Sequence, residues 1–374
     1  MPGVEKLLLS GNEAVAAAAL DAGVTLGTGY PGTPSTEILE HFDHLGGHAQ
    51  WAPNEKVALE VSIGIAIAGG RAMATMKHVG LNVAADPFFT VAYMDVKGAL
   101  VVVSADDPGM ASSQNEQDNR HYARAAGVAM FEPSDSQEAY DFTLQAIAVS
   151  ERWHAPVLLR LTTRICHSKT IVQRTAKNSV PRPLTPHFDP DLKTQVMIPA
   201  YARPAHHRLR EKLAHMAEWN EQHGPNPIVP GPAVLGIITS GISYQHVREA
   251  APPARVLKLG MTYPLPLETM RKFAHGVKRC LVVEEGDSFL VENARTAGIA
   301  VEDKPSMYRF GELNVAQSPV RHQCAQDRAV AVIEIVDSHF YVSLPRFCRI
   351  LCRKSIGHDT LWRDISPALP DTYK

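Results

Sequence analysis

Apolar and polar positions along this chain fall into two rhythms. Continuous apolar runs recur at 24–30, 71–78, 98–106 and 155–163, and again at 233–241, 255–260 and 279–286. Runs of that length without alternation predict strands buried on both faces. Between them lie stretches with helical spacing, at 14–20, 55–70, 134–153, 244–250, 267–273 and 289–296. Strands alternating with helices predict an α/β protein: a doubly wound parallel sheet followed by a second, smaller α/β unit. Ligands of such sheets sit beyond the strand C-termini, here near 30–33, 77–80, 104–107 and 162–164.

Local signals sharpen three of these elements. Ser10-Gly11-Asn12-Glu13 fits a capping box ahead of an alanine-rich helix. Thr33 suits the cap of the next helix, with Pro34 at its first position, and the Gly/Pro turn before it leaves backbone N–H groups facing the space above the sheet. Asn54 is a natural N-cap that puts Glu55 at the first helical position, and the helix beyond is apolar or small nearly all round, which predicts burial. Glu55 therefore has two readings. It serves only the helix dipole, or it is a catalytic carboxylate in a closed cleft.

Composition narrows the classes. The 374 residues, 45% of them hydrophobic, suffice for about two packed domains. A balance of 37 basic and 39 acidic residues gives a net charge of -2, which argues against nucleic acid or an anionic membrane as partner. The longest uncharged apolar run, 61–70, is too short to span a bilayer, and the N-terminus does not read as a signal peptide. The scattered Cys166, Cys280, Cys324, Cys348 and Cys352 argue for a reducing, cytoplasmic setting. Cys348 and Cys352 lack a second Cys/His pair at matching spacing, so no metal site is expected. The expected organisation is a first domain at 1–170, a linker at 171–231 with one helix near 207–222, a second domain at 232–314, and an unassigned tail at 315–374. The linker's His187, His206 and His207 read as solvated residues, and Ser240-Gly241-Ile242-Ser243 as a strand–helix turn before a phosphate cradle.

Several motifs carry a family resemblance. Tyr30-Pro31-Gly32-Thr33-Pro34-Ser35 resembles the Tyr-Pro-x-Thr-Pro-Ser turn of the 2-oxoacid:ferredoxin oxidoreductases. Asn54-Glu55 and its Ala/Gly-rich helix resemble the Asn-Glu of the pyrimidine-binding domains of thiamine diphosphate enzymes. The stretch 75–87, with Lys77, His78 and Asn82, is similar to the α subunit of indolepyruvate:ferredoxin oxidoreductases, and 112–120 and 257–266 support the same family. The likeness covers roughly 4–316.

The resemblance implies a pyrimidine-binding domain followed by a transketolase-C-terminal-like domain. It implies a thiamine diphosphate catalyst of amino acid catabolism that oxidatively decarboxylates arylpyruvates to aryl-acetyl-CoA and reduces ferredoxin. Glu55 then hydrogen-bonds the aminopyrimidine ring, and Thr33 lies near the substrate carboxyl group. Catalytic His78, with Lys77, meets the 2-oxoacid. Tyr30, Pro31, Gly32 and Asn82 line the cofactor. The implied partners are a β subunit and ferredoxin.

Two departures qualify this. Relatives acting on small 2-oxoacids place an arginine where Gln114 stands, so substrate carboxylate binding either passes to other groups such as Arg120 or Arg124 or is weaker. The Gly-Asp-Gly-type motif for magnesium and diphosphate, and the Cys-x-x-Cys clusters for [4Fe–4S] centres, are absent; Gly286-Asp287-Ser288 is only superficially similar. The chain thus resembles the first half of the subunit, with the diphosphate domain expected in trans, and a homodimer of this half could not complete the site. A non-catalytic remnant or assembly subunit, and the pyrimidine subunit of a non-oxidative decarboxylase, remain open.

Overall fold

The computed structural model describes residues 5–174 and 185–315. The tail expected beyond 314, with Cys324, Cys348 and Cys352, lies outside the described residues apart from its first position. The central feature is a seven-stranded sheet. Its middle strand, Ala99–Asp106, is buried at every residue and pairs in parallel with Arg71–Lys77 on one side and Val157–Thr162 on the other. Beyond Arg71–Lys77 come Leu26–Gly29 and the edge strand Ala49–Trp51, both parallel. Beyond Val157–Thr162 come parallel Ala129–Phe131 and, antiparallel at the other edge, Met261–Tyr263.

That last strand, only three residues long, follows the predicted strand at 255–260 where the apolar run gives way to Thr262-Tyr263-Pro264 and reads as loop. Gly260 lets the chain pass over the sheet edge: a side chain there would sit 2.5 Å from the Pro225 carbonyl and 2.7 Å from the Phe142 ring. The Gly260 carbonyl accepts from Glu132 N at 2.9 Å, which extends the pairing. A second sheet holds Arg279–Val283, Leu235–Ser240 and Arg255–Leu259 in parallel, with Ile228–Val229 as an antiparallel edge drawn from the expected linker. Both sheets belong to one compact unit. A two-stranded ribbon pairs Glu5–Ser10 with Lys169–Arg174.

The helices follow their caps. Gly11–Asp21 opens with a full capping box, Ser10 N donating to Glu13 Oε2 at 2.7 Å and Glu13 N to Ser10 Oγ at 3.2 Å. Thr33 does not cap its helix: Thr36–His44 begins later, after Ser35, and the Thr33–Pro34 peptide is cis. Helix Pro199–His223 starts well before 207, because Pro199 takes the first position, where a missing N–H costs nothing. Helix Glu55–Ile67 is not buried all round. Glu55, Ala58, Leu59, Ser62 and Ala66 are buried, whereas Val57, Val61 and Ile63 are half-buried and Gly64 is exposed. Among the described residues no helix is long and apolar enough to cross a membrane.

Candidate active site at the C-terminal end of the main sheet

Glu55 heads the helix that packs against strand Leu26–Gly29. Val57 N donates to Asn54 Oδ1 at 3.0 Å, so Asn54 caps the helix as its sequence position predicts. The helix is pinned laterally by Thr28, whose hydroxyl donates to the Ala58 carbonyl at 2.8 Å and lies 2.8 Å from Ser62 Oγ. The Glu55 side chain is 8% exposed. Among the described residues its carboxylate has no hydrogen bond or ion pair. Its oxygens still reach solvent, so the carboxylate is set in the fold yet open to a ligand.

The turn after Leu26–Gly29 is tied at several points. Gly32 N donates to Thr36 Oγ1 at 2.8 Å, and Ser35 Oγ to the Gly32 carbonyl at 2.9 Å. From below, the fully buried Asn12 donates through Nδ2 to the Pro34 carbonyl at 2.8 Å and to Glu37 Oε2 at 3.1 Å. Tyr30, Pro31 and Thr33 are left exposed. Gly32 is needed here because the Lys77 stem lies on it: a side chain would approach Lys77 Cδ to 2.9 Å. Lys77 Nζ donates to the Ser112 carbonyl at 3.0 Å, so the lysine bridges the turn to the 112–116 loop. Thr33, Lys77 and that loop, including exposed Gln114, therefore meet at one end of the sheet, as their positions after successive strands predict.

Other expected site residues lie elsewhere. His78 is fully buried, with Nε2 3.0 Å from the Asn115 carbonyl. A carbonyl only accepts, so Nε2 carries the proton. The ring is sealed from solvent and holds the loop, a place in the packing that differs from the direct catalytic one expected of it. Asn82 is exposed and accepts from the Tyr122 hydroxyl at 2.6 Å, on the outer side of helix His78–Val83.

Arg120 is also corrected. It is 1% exposed, and its guanidinium is committed to Asp118 at 2.5 Å, Glu284 at 2.6 Å and the carbonyls of Glu285 and Asp287 at 2.8 and 3.0 Å. At 1% exposure it is out of reach of a substrate. Arg124 is exposed, and its charge acts with that of Arg210 on the Tyr263 hydroxyl, at the sheet edge.

Around Arg120 the two sheets share a buried network of charges. Arg160 donates to Asp106 at 2.7 Å and Glu132 at 2.6 Å, and Glu284 accepts from the N–H groups of Phe289, Leu290 and Val291 at 2.8–3.1 Å. Burial pushes the Asp118 carboxyl up, but the adjacent Arg120 and Arg160 charges outweigh it and hold it well below the usual carboxylate range. For Glu285 burial wins, pushing its pKa up to about 7. Ser240, Gly241, Ile242 and Ser243 face this network around a cavity of about 10 Å³. That is room for one water and not for a phosphate, so the turn serves the fold.

Residues 17–226 match the family described as pyruvate flavodoxin/ferredoxin oxidoreductase, thiamine diP-bdg. The chain belongs to this family. It is 40% identical over 310 residues to the indolepyruvate oxidoreductase subunit IorA of Archaeoglobus fulgidus, covering 79% of this chain and 49% of that protein. It is 42% identical over 296 residues to the IorA subunit of Methanothermobacter thermautotrophicus, covering 76% and 48%. The chain spans about half the length of these curated relatives. Its fold is similar to that of the 2-oxoglutarate:ferredoxin oxidoreductase of Magnetococcus marinus, with a TM-score of 0.70 at 15% identity over 87% of this chain and 65% of that one.

A glycine was missed in the sequence. Gly80 packs directly under the Glu55 carboxylate. Its signal was present as a lone glycine just after a predicted strand, but only the fold says what lies against it.

Proposed function

We propose that this chain is the pyrimidine-binding half of a thiamine diphosphate-dependent 2-oxoacid oxidoreductase subunit, acting on arylpyruvates such as indolepyruvate. The main sheet with its ribbon through Arg174 is the pyrimidine-binding domain, and the second sheet, which begins with Ile228–Val229, is a transketolase-C-terminal-like domain that lends Met261–Tyr263 to the first. The observation that carries this reading is Glu55, largely buried on a helix that Asn54 caps, with a carboxylate that is open to solvent and has no protein partner among the described residues. A carboxyl group there fits a thiamine ring, because it can share a proton with a pyrimidine ring nitrogen, which by itself only accepts.

When bound, the cofactor supplies the electron sink for decarboxylation. Glu55 would hold the aminopyrimidine ring through a proton shared between its carboxyl oxygen and a ring nitrogen. The exposed Thr33 hydroxyl and the Lys77 ammonium offer donors to the substrate carboxylate, with Lys77 held over the turn by Gly32 and by the Ser112 carbonyl. His78 sets the loop that carries Gln114, through Asn115. A glutamine there in place of arginine leaves a less charged, wider opening, which suits a bulky aromatic side chain. Magnesium, the diphosphate contacts, the [4Fe–4S] centres, a β subunit, coenzyme A and ferredoxin belong to the remainder of a cytoplasmic complex.

The test is calorimetric titration of thiamine diphosphate and magnesium into this chain, with and without a polypeptide carrying the diphosphate half. Binding is expected in the presence of both halves, weakened at least tenfold by Glu55→Gln, about 1.4 kcal/mol. No binding in either arrangement overturns the proposal.

A further inference from the structure

A β-carbon built on Gly80 would lie 2.5 Å from Glu55 Oε1, 2.7 Å from its Cγ and 2.9 Å from its Cδ. Gly80 is buried in the helix His78–Val83, and its carbonyl accepts from Ala84 N at 3.0 Å. It is not among the positive-φ glycines, so the backbone does not require glycine there. Alanine is intrinsically preferred over glycine inside a helix. The bare Cα must therefore be explained by what rests on it, and the nearest atoms are those of the Glu55 side chain.

We propose that Gly80 is a positioning residue for Glu55. Its Cα is the floor on which the carboxylate lies, and it sets how far that carboxylate reaches toward the cofactor ring. This rests on the role given to Glu55 under Proposed function. Neither backbone can readily yield to a methyl group. The Glu55 helix is held by the Asn54 cap and by Thr28 on Ala58 and Ser62. The Gly80 helix is held at His78, whose ring meets the Asn115 carbonyl and whose own carbonyl accepts from Asn119 Nδ2 at 3.2 Å. The methyl is accommodated by moving the carboxylate about 1 Å, a misplacement that costs on the order of 10²-fold in rate.

The test is Gly80→Ala, read in three ways. The crystal structure of the variant chain is expected to show Glu55 Oε1 displaced by about 1 Å. The melting temperature is expected to equal or exceed that of the parent. In the complex with the diphosphate half, solvent exchange of the thiazolium C2 proton, followed by NMR, is expected to slow on the order of 10²-fold. The slowing should vanish when Gly80→Ala is added to Glu55→Gln, because the two act through one carboxylate. Parent-like exchange in Gly80→Ala, or equal slowing in the Glu55→Gln background, overturns the proposal. So does a lowered melting temperature that persists in Glu55→Ala, since the methyl would then clash elsewhere. If Glu55→Gln alone leaves exchange unchanged, the role of Glu55 falls, and that of Gly80 with it.

Discussion

Arg120 Nη1 and Glu284 Oε2 meet at 2.6 Å across the two sheets, and both side chains are essentially inaccessible to solvent. The pair is a seam and not a substrate grip. Breaking a buried pair leaves the remaining charges uncompensated. Arg120→Ala strands Asp118 and Glu284 together, so it is expected to cost about 3–5 kcal/mol of unfolding free energy. Urea denaturation checks this. A loss within error of zero would mean that the guanidinium contributes no stability.

Glu285 gives the same seam a pH dependence. It is 6% exposed, and burial raises its pKa from the ordinary 4.5 to about 7. A carboxyl with a raised folded-state pKa stabilises the fold while protonated. That contribution is complete below about 4.5 and is lost as pH rises to about 7, on the order of 3 kcal/mol in all. Glu285→Gln is expected to flatten the fall in melting temperature between these limits. Parallel profiles for parent and variant would contradict it.

Asn54→Ala removes the cap that starts the Glu55 helix. The expected cost is about 1 kcal/mol, seen in thermal melting. Faster hydrogen exchange at the N–H of Val57, the donor that loses its acceptor, should accompany it.

Asn12→Ala removes the donor to the Pro34 carbonyl under the Thr33 turn. A buried carbonyl left without its partner costs about 1–3 kcal/mol. Thermal melting gives the loss. In the assembled enzyme proposed above, the KM for the 2-oxoacid is expected to rise more than kcat falls, because the turn carries Thr33, the residue proposed to meet the substrate carboxylate.

What could be read in the sequence depended on range. The strand Ala99–Asp106 was legible because burial on both faces leaves an unbroken apolar run. Ser10, Glu13 and Asn54 were legible because a cap acts within three residues. Arg120 was misplaced because its partner Glu284 stands 164 residues away, and nothing local distinguishes an arginine for a carboxylate ligand from one for a carboxylate side chain. His78 misled for the same reason: polarity after a strand suggests a cleft, whereas its ring turns inward to Asn115. Met261–Tyr263 was hidden because three residues carry no period, and their pairing is set by Ala129–Phe131.

That short strand has a consequence for how the molecule comes apart. It is supplied by the chain that builds the second sheet, yet it closes the edge of the first. A fragment ending at 174 would carry the strand Ala129–Phe131 with its outer row of N–H and C=O groups bare, a template for intermolecular pairing. The two halves should therefore melt in a single cooperative transition, and the first half produced alone should self-associate.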